Sequence, residues 1–335
     1  RRNSNNRHGL IMTTYKEIRG TNIEAVASDP SNPVEGQVWY NTTTNVVKGL
    51  GFNSGSWATG GSLGTARYAL AGVGTSTAAL AFGGFPPNFA LTESYNGTSW
   101  TEVNDLNQAR RYLGGAGTNT AALGFGGVYG SPSVRATETE LWNGSNWTEV
   151  NNLTTGRNGM GGCGTQTAAL SFGGTPPLPT GLTELWNGTN WTEVNDLNTG
   201  RQQLAGAGIS TAALAFGGSV APRAQTELWN GTNWTEVNDL GTGRYAPGGV
   251  GTQTAALAFG GDNPSASPAV EAVTEKWNGT NWTETTDLNT ARKGLGGAGT
   301  QTSALGFGGR ATDGNATTAT EEWTLGPLTV TFDVS

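Results

Sequence analysis

The sequence predicts an all-β fold, a β-propeller of four-stranded antiparallel blades. First, the apolar string TAALAFGG or a close variant recurs six times, with its phenylalanines 43 to 48 residues apart, which is the period of a propeller blade. Second, 54 of the 335 residues are glycine, 12 are tryptophan and only 13% are charged, a composition that suits short strands and tight turns. The repeated phenylalanines are Phe82, Phe125, Phe172, Phe216, Phe259 and Phe307.

Each repeat has the same order of segments, which predicts four strands, A to D, from the propeller axis outward. An arginine precedes a Gly/Ala-rich strand A, and TAALAFGG supplies strand B, whose apolar run is typical of a strand buried on both faces. A variable loop then leads to strand C (TELW) and strand D (NWTEV). The repeated arginines are Arg67, Arg110, Arg157, Arg201, Arg244 and Arg292.

The connection between strands C and D reads WNGTNW in three repeats, for example at Trp186–Trp191. Asn-Gly between two strands is a strong hairpin signal, because a type I′ turn needs positive φ at both central residues. We therefore expect type I′ turns here.

The N-terminal region contains a weaker copy of the repeat. GQVWYN, NVVKGLGF and SWATG keep the spacings of strands B, C and D, with Trp39, Trp57 and Arg67 at the repeat distances. Strand A of this copy could come from residues 15–28 or from the C-terminal LTVTFDVS. The sequence therefore predicts seven blades in a ring closed by the two chain termini, with six blades as the alternative.

The polar, turn-rich start of the chain is predicted to lie outside the propeller. Residues 1–36 form an extension or attachment arm, and residues 37–335 form the propeller. Within the arm, residues 1–11 precede Met12 and receive no role in the fold.

The repeat resembles the kelch repeat over about residues 37–332, in its arginine, glycine-rich strand, hydrophobic strand ending in Gly-Gly and two spaced aromatics. A second resemblance concerns function. NPVEGQVWYNTTTNVVKG is similar to a module of bacteriophage tail and appendage proteins, and the TAALAFGG/NGTNWTEV repeats resemble those of structural proteins of marine phages. This resemblance implies a location in the virion.

Residue chemistry argues against most enzyme classes. The one histidine, His8, lies outside the repeats, and the one cysteine, Cys163, replaces a small residue of strand A. Copper, zinc and Ser-His-Asp sites all need more histidine or cysteine than this, so we predict no metal and no cofactor. A net charge of -7 argues against a nucleic-acid partner, and no apolar run is long enough to span a membrane.

The remaining candidates for chemistry recur with the repeats, which favours structural roles. The arginines, the strand C glutamates and the tryptophans each occupy one position per repeat, whereas a catalytic pair would break that symmetry. We expect the tryptophans in the core and the strand D acids in solvent. The strand C glutamates are Glu93, Glu140, Glu184, Glu227 and Glu275, and the strand D acids are Glu102, Glu149, Glu193 and Glu236.

Variation is concentrated in the B–C loops and in the two residues after each repeated arginine. Antiparallel topology places both sets on one face of the disc, and a rigid scaffold with diverse loops on one side is typical of a recognition surface. The B–C loops are 85–91, 128–138, 175–182, 219–225, 262–273 and 310–319. The candidate binding residues are the exposed aromatic and charged residues Phe85, Phe89, Tyr112, Tyr129, Arg135, Arg223, Tyr245, Asp262 and Arg310.

We therefore expect a non-enzymatic phage structural protein, a tail or appendage adhesin. Its partners would be other virion proteins, a host surface glycan or receptor, or further copies of the chain. Two alternatives remain open. One is a glycan-cleaving enzyme that uses Glu138 with Asp262 or Asp313. The other is an assembly protein whose flat faces only pack against copies of itself.

Overall fold

A computed structural model describes residues 23–31, 37–52, 55–130 and 133–332. All regular secondary structure in these residues is β-strand, with no helix. The chain forms two compact units, residues 1–53 with 326–335, and residues 54–325. His8 and most of the predicted attachment arm lie outside the described residues.

The strands are numbered in chain order. Those before the first repeat are β1 (Glu24–Val26), β2 (Val38–Asn41), β3 (Val46–Phe52) and β4 (Ser56–Thr59). The first three repeats contain β5 (Ala71–Thr75), β6 (Ala78–Phe82), β7 (Thr92–Tyr95), β8 (Trp100–Val103), β9 (Gly114–Gly117), β10 (Ala122–Phe125), β11 (Val128–Tyr129), β12 (Val134–Arg135), β13 (Thr139–Trp142), β14 (Trp147–Val150), β15 (Gly161–Thr165), β16 (Ala168–Phe172), β17 (Thr183–Trp186) and β18 (Trp191–Val194). The remainder are β19 (Ala205–Ile209), β20 (Ala212–Phe216), β21 (Thr226–Trp229), β22 (Trp234–Val237), β23 (Gly248–Gly251), β24 (Ala256–Phe259), β25 (Thr274–Trp277), β26 (Trp282–Glu284), β27 (Arg292–Lys293), β28 (Gly296–Gly299), β29 (Ser303–Phe307), β30 (Arg310–Ala311), β31 (Thr320–Thr324) and β32 (Pro327–Phe332).

The second unit contains six four-stranded antiparallel sheets among its described residues. Five take all four strands from one repeat in the predicted order A-B-C-D, as in β5-β6-β7-β8 and β15-β16-β17-β18. The innermost strand of each sheet contacts that of the next, and β28 of the last repeat contacts β5 of the first. The predicted all-β class of repeated four-stranded antiparallel sheets is therefore confirmed.

The sixth sheet corrects one prediction. SWATG was expected to complete an additional blade with NVVKGLGF, but it forms β4 and pairs with β31 as the outermost strand of the last repeat. Aromatic packing explains this pairing. The last repeat lacks a second tryptophan, and Trp57 fills that position, 5.4 Å from Trp323 and 5.1 Å from Phe259 between ring centroids.

The other segments of the divergent copy form a four-stranded sheet in the first unit, in the order β1-β2-β3-β32. Both proposed sources of a missing strand are used there. Residues 24–26 pair with β2 in parallel, whereas the C-terminal strand pairs antiparallel with β3. Residues 37–52 and 327–332 thus lie outside the unit that holds the repeats.

Tryptophans connect neighbouring sheets of the second unit. A tryptophan in the first two residues of each outer strand donates its indole N–H to the Oγ1 of the threonine that begins the third strand of the preceding sheet, at 3.0–3.1 Å. Ten of the 12 tryptophans are buried, which confirms their predicted core role. The donor–acceptor pairs are Trp100–Thr320, Trp147–Thr92, Trp191–Thr139, Trp234–Thr183, Trp282–Thr226 and Trp57–Thr274.

The repeated arginines are fully buried, and each forms an ion pair with the strand C glutamate of its own repeat. Arg110 also donates to the backbone carbonyls of Gly126 and Glu138, which fixes the loop that follows strand B. The predicted structural roles of both sets are confirmed. The strand D acids Glu102, Glu149, Glu193 and Glu236 are exposed, as expected. The ion pairs are Arg67–Glu93, Arg110–Glu140, Arg157–Glu184, Arg201–Glu227, Arg244–Glu275 and Arg292–Glu321.

The C–D turns are hairpins, but the predicted type I′ geometry is wrong. Trp186 pairs with Trp191, which leaves a four-residue loop in which only Gly188 has positive φ, at 91°. The side chain of Asn187 explains the geometry, because its Oδ1 accepts the backbone N–H groups of Thr189 and Asn190 at 2.9 and 2.8 Å. An Asx-capped turn therefore replaces the two-residue turn.

Candidate functional site

The two sets of variable segments lie on one face of the second unit, as predicted. Antiparallel bridges join the residue after a repeated arginine to the start of the following B–C loop, as in Tyr68 with Phe85 and Tyr245 with Asp262. The A–B and C–D turns contact each other at the opposite ends of the strands. There, Gln166 of an A–B turn donates to the carbonyl of Trp142, at the start of the C–D turn of the preceding repeat, at 2.5 Å. We call the surface of B–C loops and post-arginine residues the variable face.

A closed cycle of backbone hydrogen bonds lies at the centre of the variable face. The second residue after each repeated arginine donates its N–H to the carbonyl of the equivalent residue in the preceding repeat, at 2.6–2.9 Å. All six residues have φ between 52° and 65°, although four are not glycine. Such conformations are uncommon for residues with a Cβ and are found where the surrounding structure imposes them. The members are Ala69, Tyr112, Gly159, Gln203, Ala246 and Gly294.

A depression of about 230 Å³ lies beside this cycle. Three tyrosines from three repeats and two cations from the last repeat line it, together with one amide. A concave site with aromatic walls and few convergent polar groups is the usual form of a small-ligand site. We call it the central depression, and its lining side chains are Tyr68, Tyr112, Gln203, Tyr245, Lys293 and Arg310.

Asp262 organises one side of the central depression. Its carboxylate is buried and accepts hydrogen bonds from Tyr245 Oη at 2.9 Å and from Lys293 Nζ. The ammonium of Lys293 also lies 5.5 Å from the centroid of the Tyr245 ring. Burial and the bond to Asp262 raise the pKa of Tyr245. Burial acts to lower the pKa of Lys293, but its contacts with Asp262 and Tyr245 outweigh burial and raise it. Tyr245 is therefore a neutral donor and Lys293 a cation at neutral pH.

Aromatic rings and guanidinium groups alternate on the other side. Arg310 Cζ lies 5.8 Å from the centroid of the Tyr68 ring, and that ring packs edge-on against Phe85 at 5.6 Å. Arg111 Cζ lies 4.8 Å from the Phe85 centroid and donates to the Oδ1 of Asn88. Each cation–aromatic contact joins residues of two neighbouring repeats. Cation–π contacts of this kind hold both partners in place while leaving N–H groups of the guanidinium available.

Neutral polar residues occupy the equivalent positions in the third and fourth repeats. Asn158 forms an antiparallel bridge with Thr175, whose hydroxyl donates to the Oε1 of Gln202. Gln203 lines the central depression next to this pair. The variable face is therefore divided between an aromatic and cationic part and an amide and hydroxyl part.

The structure brings some predicted residues together and separates others. Tyr112, Tyr245 and Arg310 line the central depression, and Asp262 and Phe85 contact its lining residues. The predicted exposure of Asp262 is wrong, because Tyr245 and Lys293 cover its carboxylate and leave it 4% exposed. The remaining four lie on B–C loops without lining it, and Tyr129 and Arg135 belong to the two-stranded sheet β11–β12. These four residues are Phe89, Tyr129, Arg135 and Arg223.

The candidate list missed Tyr68, Gln203 and Lys293 of the depression, and the neighbouring Arg111. A signal for them is present in the sequence, since all four belong to the variable pairs that follow the repeated arginines. The prediction favoured the B–C loops because they are longer than the two-residue segments that follow the arginines.

The acids proposed for glycan cleavage lie in different local networks. Asp262 is engaged by Tyr245 and Lys293, whereas Asp313 is exposed and bonds Asn315 of its own loop. Glu138 faces Tyr129, whose Oη lies 3.4 Å from its Oε1. Among the described residues, no group of three or more His, Cys, Asp or Glu side chains could hold a metal ion. No helix in that part of the chain is long and apolar enough to cross a membrane.

Comparisons with known proteins bear on the fold. No protein-family model matches the chain, and no curated protein matches it. The solved structure of YjhT is similar, with a TM-score of 0.65 and 11% sequence identity over 80% of this chain and 99% of that chain. At this identity the likeness shows the fold alone. The chain therefore has a propeller-type fold of repeated four-stranded antiparallel sheets.

Proposed function

We propose that the chain is a non-enzymatic recognition protein of a bacteriophage virion, a tail or appendage adhesin that binds through its variable face. The observation that carries the proposal is the central depression, where aromatic and charged side chains from different repeats converge on the face that holds every variable loop. A rigid scaffold with binding residues on its loops is the usual arrangement of recognition proteins.

The scaffold proposed for this role is a six-bladed, kelch-like propeller. The cycle of tryptophan–threonine bonds and the backbone cycle at the variable face both return from the last repeat to the first. These two closed cycles support a ring made by the six sheets of the second unit. The sheet of the first unit is then an additional element and not a seventh blade.

The proposed ligand is a host surface glycan. Tyrosine rings offer flat apolar faces to the C–H groups of a sugar, while their hydroxyls and the amide of Gln203 offer hydrogen bonds. A neighbouring virion protein is the other candidate partner for the same surface. The location in the virion rests on the resemblance of the repeats to phage structural proteins.

The test compares two double variants in adsorption to host cells. Tyr68→Ala with Tyr245→Ala removes two walls of the central depression, and we expect adsorption to fall at least tenfold. Thr189→Ala with Thr232→Ala changes two exposed C–D turns and serves as the matched control, with adsorption unchanged. Full adsorption by the tyrosine double variant, with its thermal unfolding intact, would exclude the depression as the binding site.

One observation favours glycan cleavage as a second function. The Oε2 of Glu138 is buried and has no hydrogen-bond partner among the described residues, and carboxyl groups are the side chains that glycan cleavage uses. New reducing ends after incubation of the protein with host polysaccharide, and their loss in Glu138→Gln, would establish this function. A structure of the assembled particle with the variable face buried against another copy would instead indicate an assembly protein.

A further inference from the structure

The described arginines divide into two groups with different surroundings. Six are fully buried and paired with glutamates, and the other four have no carboxylate within ion-pair distance among the described residues. All four of the second group lie on the variable face. In a chain with a net charge of -7, cations without carboxylate partners on one face make that face complementary to an anionic ligand. These arginines are Arg111, Arg135, Arg223 and Arg310.

Two of these arginines and one lysine form an arc that leads out of the central depression. Lys293 and Arg310 line the depression, and contacts through Tyr68 and Phe85 connect Arg310 to Arg111. Each step in this series spans between 4.8 and 5.8 Å, so the arc is longer than one sugar ring. An extended chain with repeated acidic groups fits it better than a single small anion.

Four carboxylates lie in the B–C loops, and none of them is within ion-pair distance of these arginines in the described residues: Glu138, Asp262, Glu271 and Asp313. Asp262 is buried and holds Lys293, and Asp313 is engaged by Asn315. Several aspartates of the D–A connections accept the first backbone N–H of a third strand, as Asp105 does from Thr92 and Asp196 from Thr183, and so serve the fold. Arg310 donates its Nε–H to the carbonyl of Gly314, and Arg111 donates to Asn88 and Ser133. The remaining N–H groups of the two guanidinium groups can receive an added anion.

We propose that the ligand of the variable face is an anionic saccharide chain, with carboxylate or sulfate groups on Arg310 and Arg111 and sugar rings on Tyr68 and Phe85. This inference rests on the proposed function and names the chemical class of its ligand. Guanidinium groups suit both anions, because their planar array of N–H donors matches pairs of oxygen atoms. Stacking beside each guanidinium orients the sugar ring next to its own acidic group.

The test measures the affinity of the full chain for three polymers of equal length and one backbone: dextran, carboxymethyl dextran and dextran sulfate. We expect at least one charged polymer to bind at least tenfold more tightly than dextran, with an affinity that falls as salt rises. Arg310→Gln and Arg111→Gln should each weaken this binding at least tenfold, because each removes a charge-assisted hydrogen-bond donor. Lys276→Gln, in β25, is the matched loss of a cation and should leave the affinity unchanged.

The preferred charged polymer identifies the anionic group as a carboxylate or a sulfate. The inference is overturned if neither charged polymer binds, if dextran binds equally well, or if both arginine variants bind like the unmodified chain. If dextran binds as tightly as the charged polymers, and Tyr68→Ala with Tyr245→Ala abolishes that binding, the anionic ligand is rejected and the proposed function is kept. If this double variant still adsorbs fully to host cells, both the proposed function and the anionic ligand are rejected.

Discussion

The indole N–H of Trp147 donates to the hydroxyl of Thr92 in the preceding sheet, at 3.0 Å, and both side chains are buried. The same residue types make the same contact at all six junctions between neighbouring sheets of the second unit. The tryptophan ring also packs on the strand B phenylalanine of that sheet, 4.9 Å from Phe82. Three positions per repeat, a tryptophan, a threonine and a phenylalanine, therefore specify how one sheet joins the next.

Replacing Thr92 with valine should lower the free energy of unfolding by about 1–3 kcal/mol. The change keeps the shape of the side chain but leaves the buried indole N–H of Trp147 without its acceptor. Denaturant unfolding measures the loss. Thr101→Val, at an exposed position of the next strand, is the control and should change stability little. Equal effects of the two substitutions would show that the bond does not stabilise the junction.

Breaking the buried pair Arg157–Glu184 should lower the free energy of unfolding more than Thr92→Val does, and a second substitution should reverse much of the loss. Its Nη2 and Oε1 atoms are 3.0 Å apart, with both side chains buried. Arg157→Met leaves an unpaired buried carboxylate and should cost about 3–5 kcal/mol of unfolding free energy. Adding Glu184→Leu removes that charge and should recover much of the loss.

Glu193→Gln, directly opposite Glu184 on the exposed outer strand, should have almost no effect and is the control for this pair. A double variant as unstable as Arg157→Met alone would mean that the lost carbonyl contacts of the arginine, and not the unpaired charge, cause the destabilisation.

The repeat sequence was sufficient to predict the strands and their order, because each repeat supplies the periodic pattern of all four strands. The buried roles of the arginines, glutamates and tryptophans also followed from their recurrence. Recurrence alone did not predict that Arg67 and Glu93 form a pair, since 26 residues separate them and the contact depends on how strands A to C fold back. The segregation of variable segments onto one face followed from antiparallel topology.

The sequence did not predict how the last sheet is completed. Trp57 keeps the correct distance to Arg67, so it looked like part of an additional blade, yet its partner is Trp323 at the far end of the chain. Spacing along the chain reports strand order within a repeat but carries no information about a strand supplied from elsewhere. The central depression also could not be predicted, because residues far apart in the sequence, such as Tyr68 and Lys293, line it together.

The completion of the last sheet by β4 predicts how far the chain can be shortened without loss of stability. A protein of residues 54–325 keeps all six sheets of the second unit and should unfold cooperatively. A protein of residues 62–325 loses β4 and exposes the buried faces of Trp323 and Phe259. We expect the shorter protein to be several kcal/mol less stable, because loss of a buried Trp57 side chain alone costs about 3–5 kcal/mol. Matching melting temperatures of the two proteins would show that β4 is dispensable.

Tyr95 predicts a specific dependence of stability on alkaline pH. Burial, together with its hydrogen bond to Glu322 Oε1 at 2.6 Å, raises the pKa of Tyr95 from 10.0 to about 12. A group whose pKa is higher in the folded state stabilises the fold below its unfolded pKa, and this contribution is lost as pH rises through the folded value. The unmodified chain should therefore lose about 2 kcal/mol between pH 10 and 12 relative to Tyr95→Phe. Parallel pH profiles of the two proteins would contradict the assignment.

The central claim, that recognition occurs on the variable face alone, can be tested by blocking one face at a time. Leu178 in a variable B–C loop and Ile209 at an A–B turn are both exposed, at 74% and 54%, and lie on opposite faces. The native Cys163 is buried and its pKa is raised to about 12, so it should not react with a thiol reagent at neutral pH. Leu178→Cys and Ile209→Cys can then each be coupled to polyethylene glycol.

Adsorption of the two coupled proteins to host cells is the deciding measurement. We predict that polymer at position 178 abolishes adsorption and that polymer at position 209 leaves it intact. The account would be contradicted if polymer at position 209 abolished adsorption while polymer at position 178 left it intact.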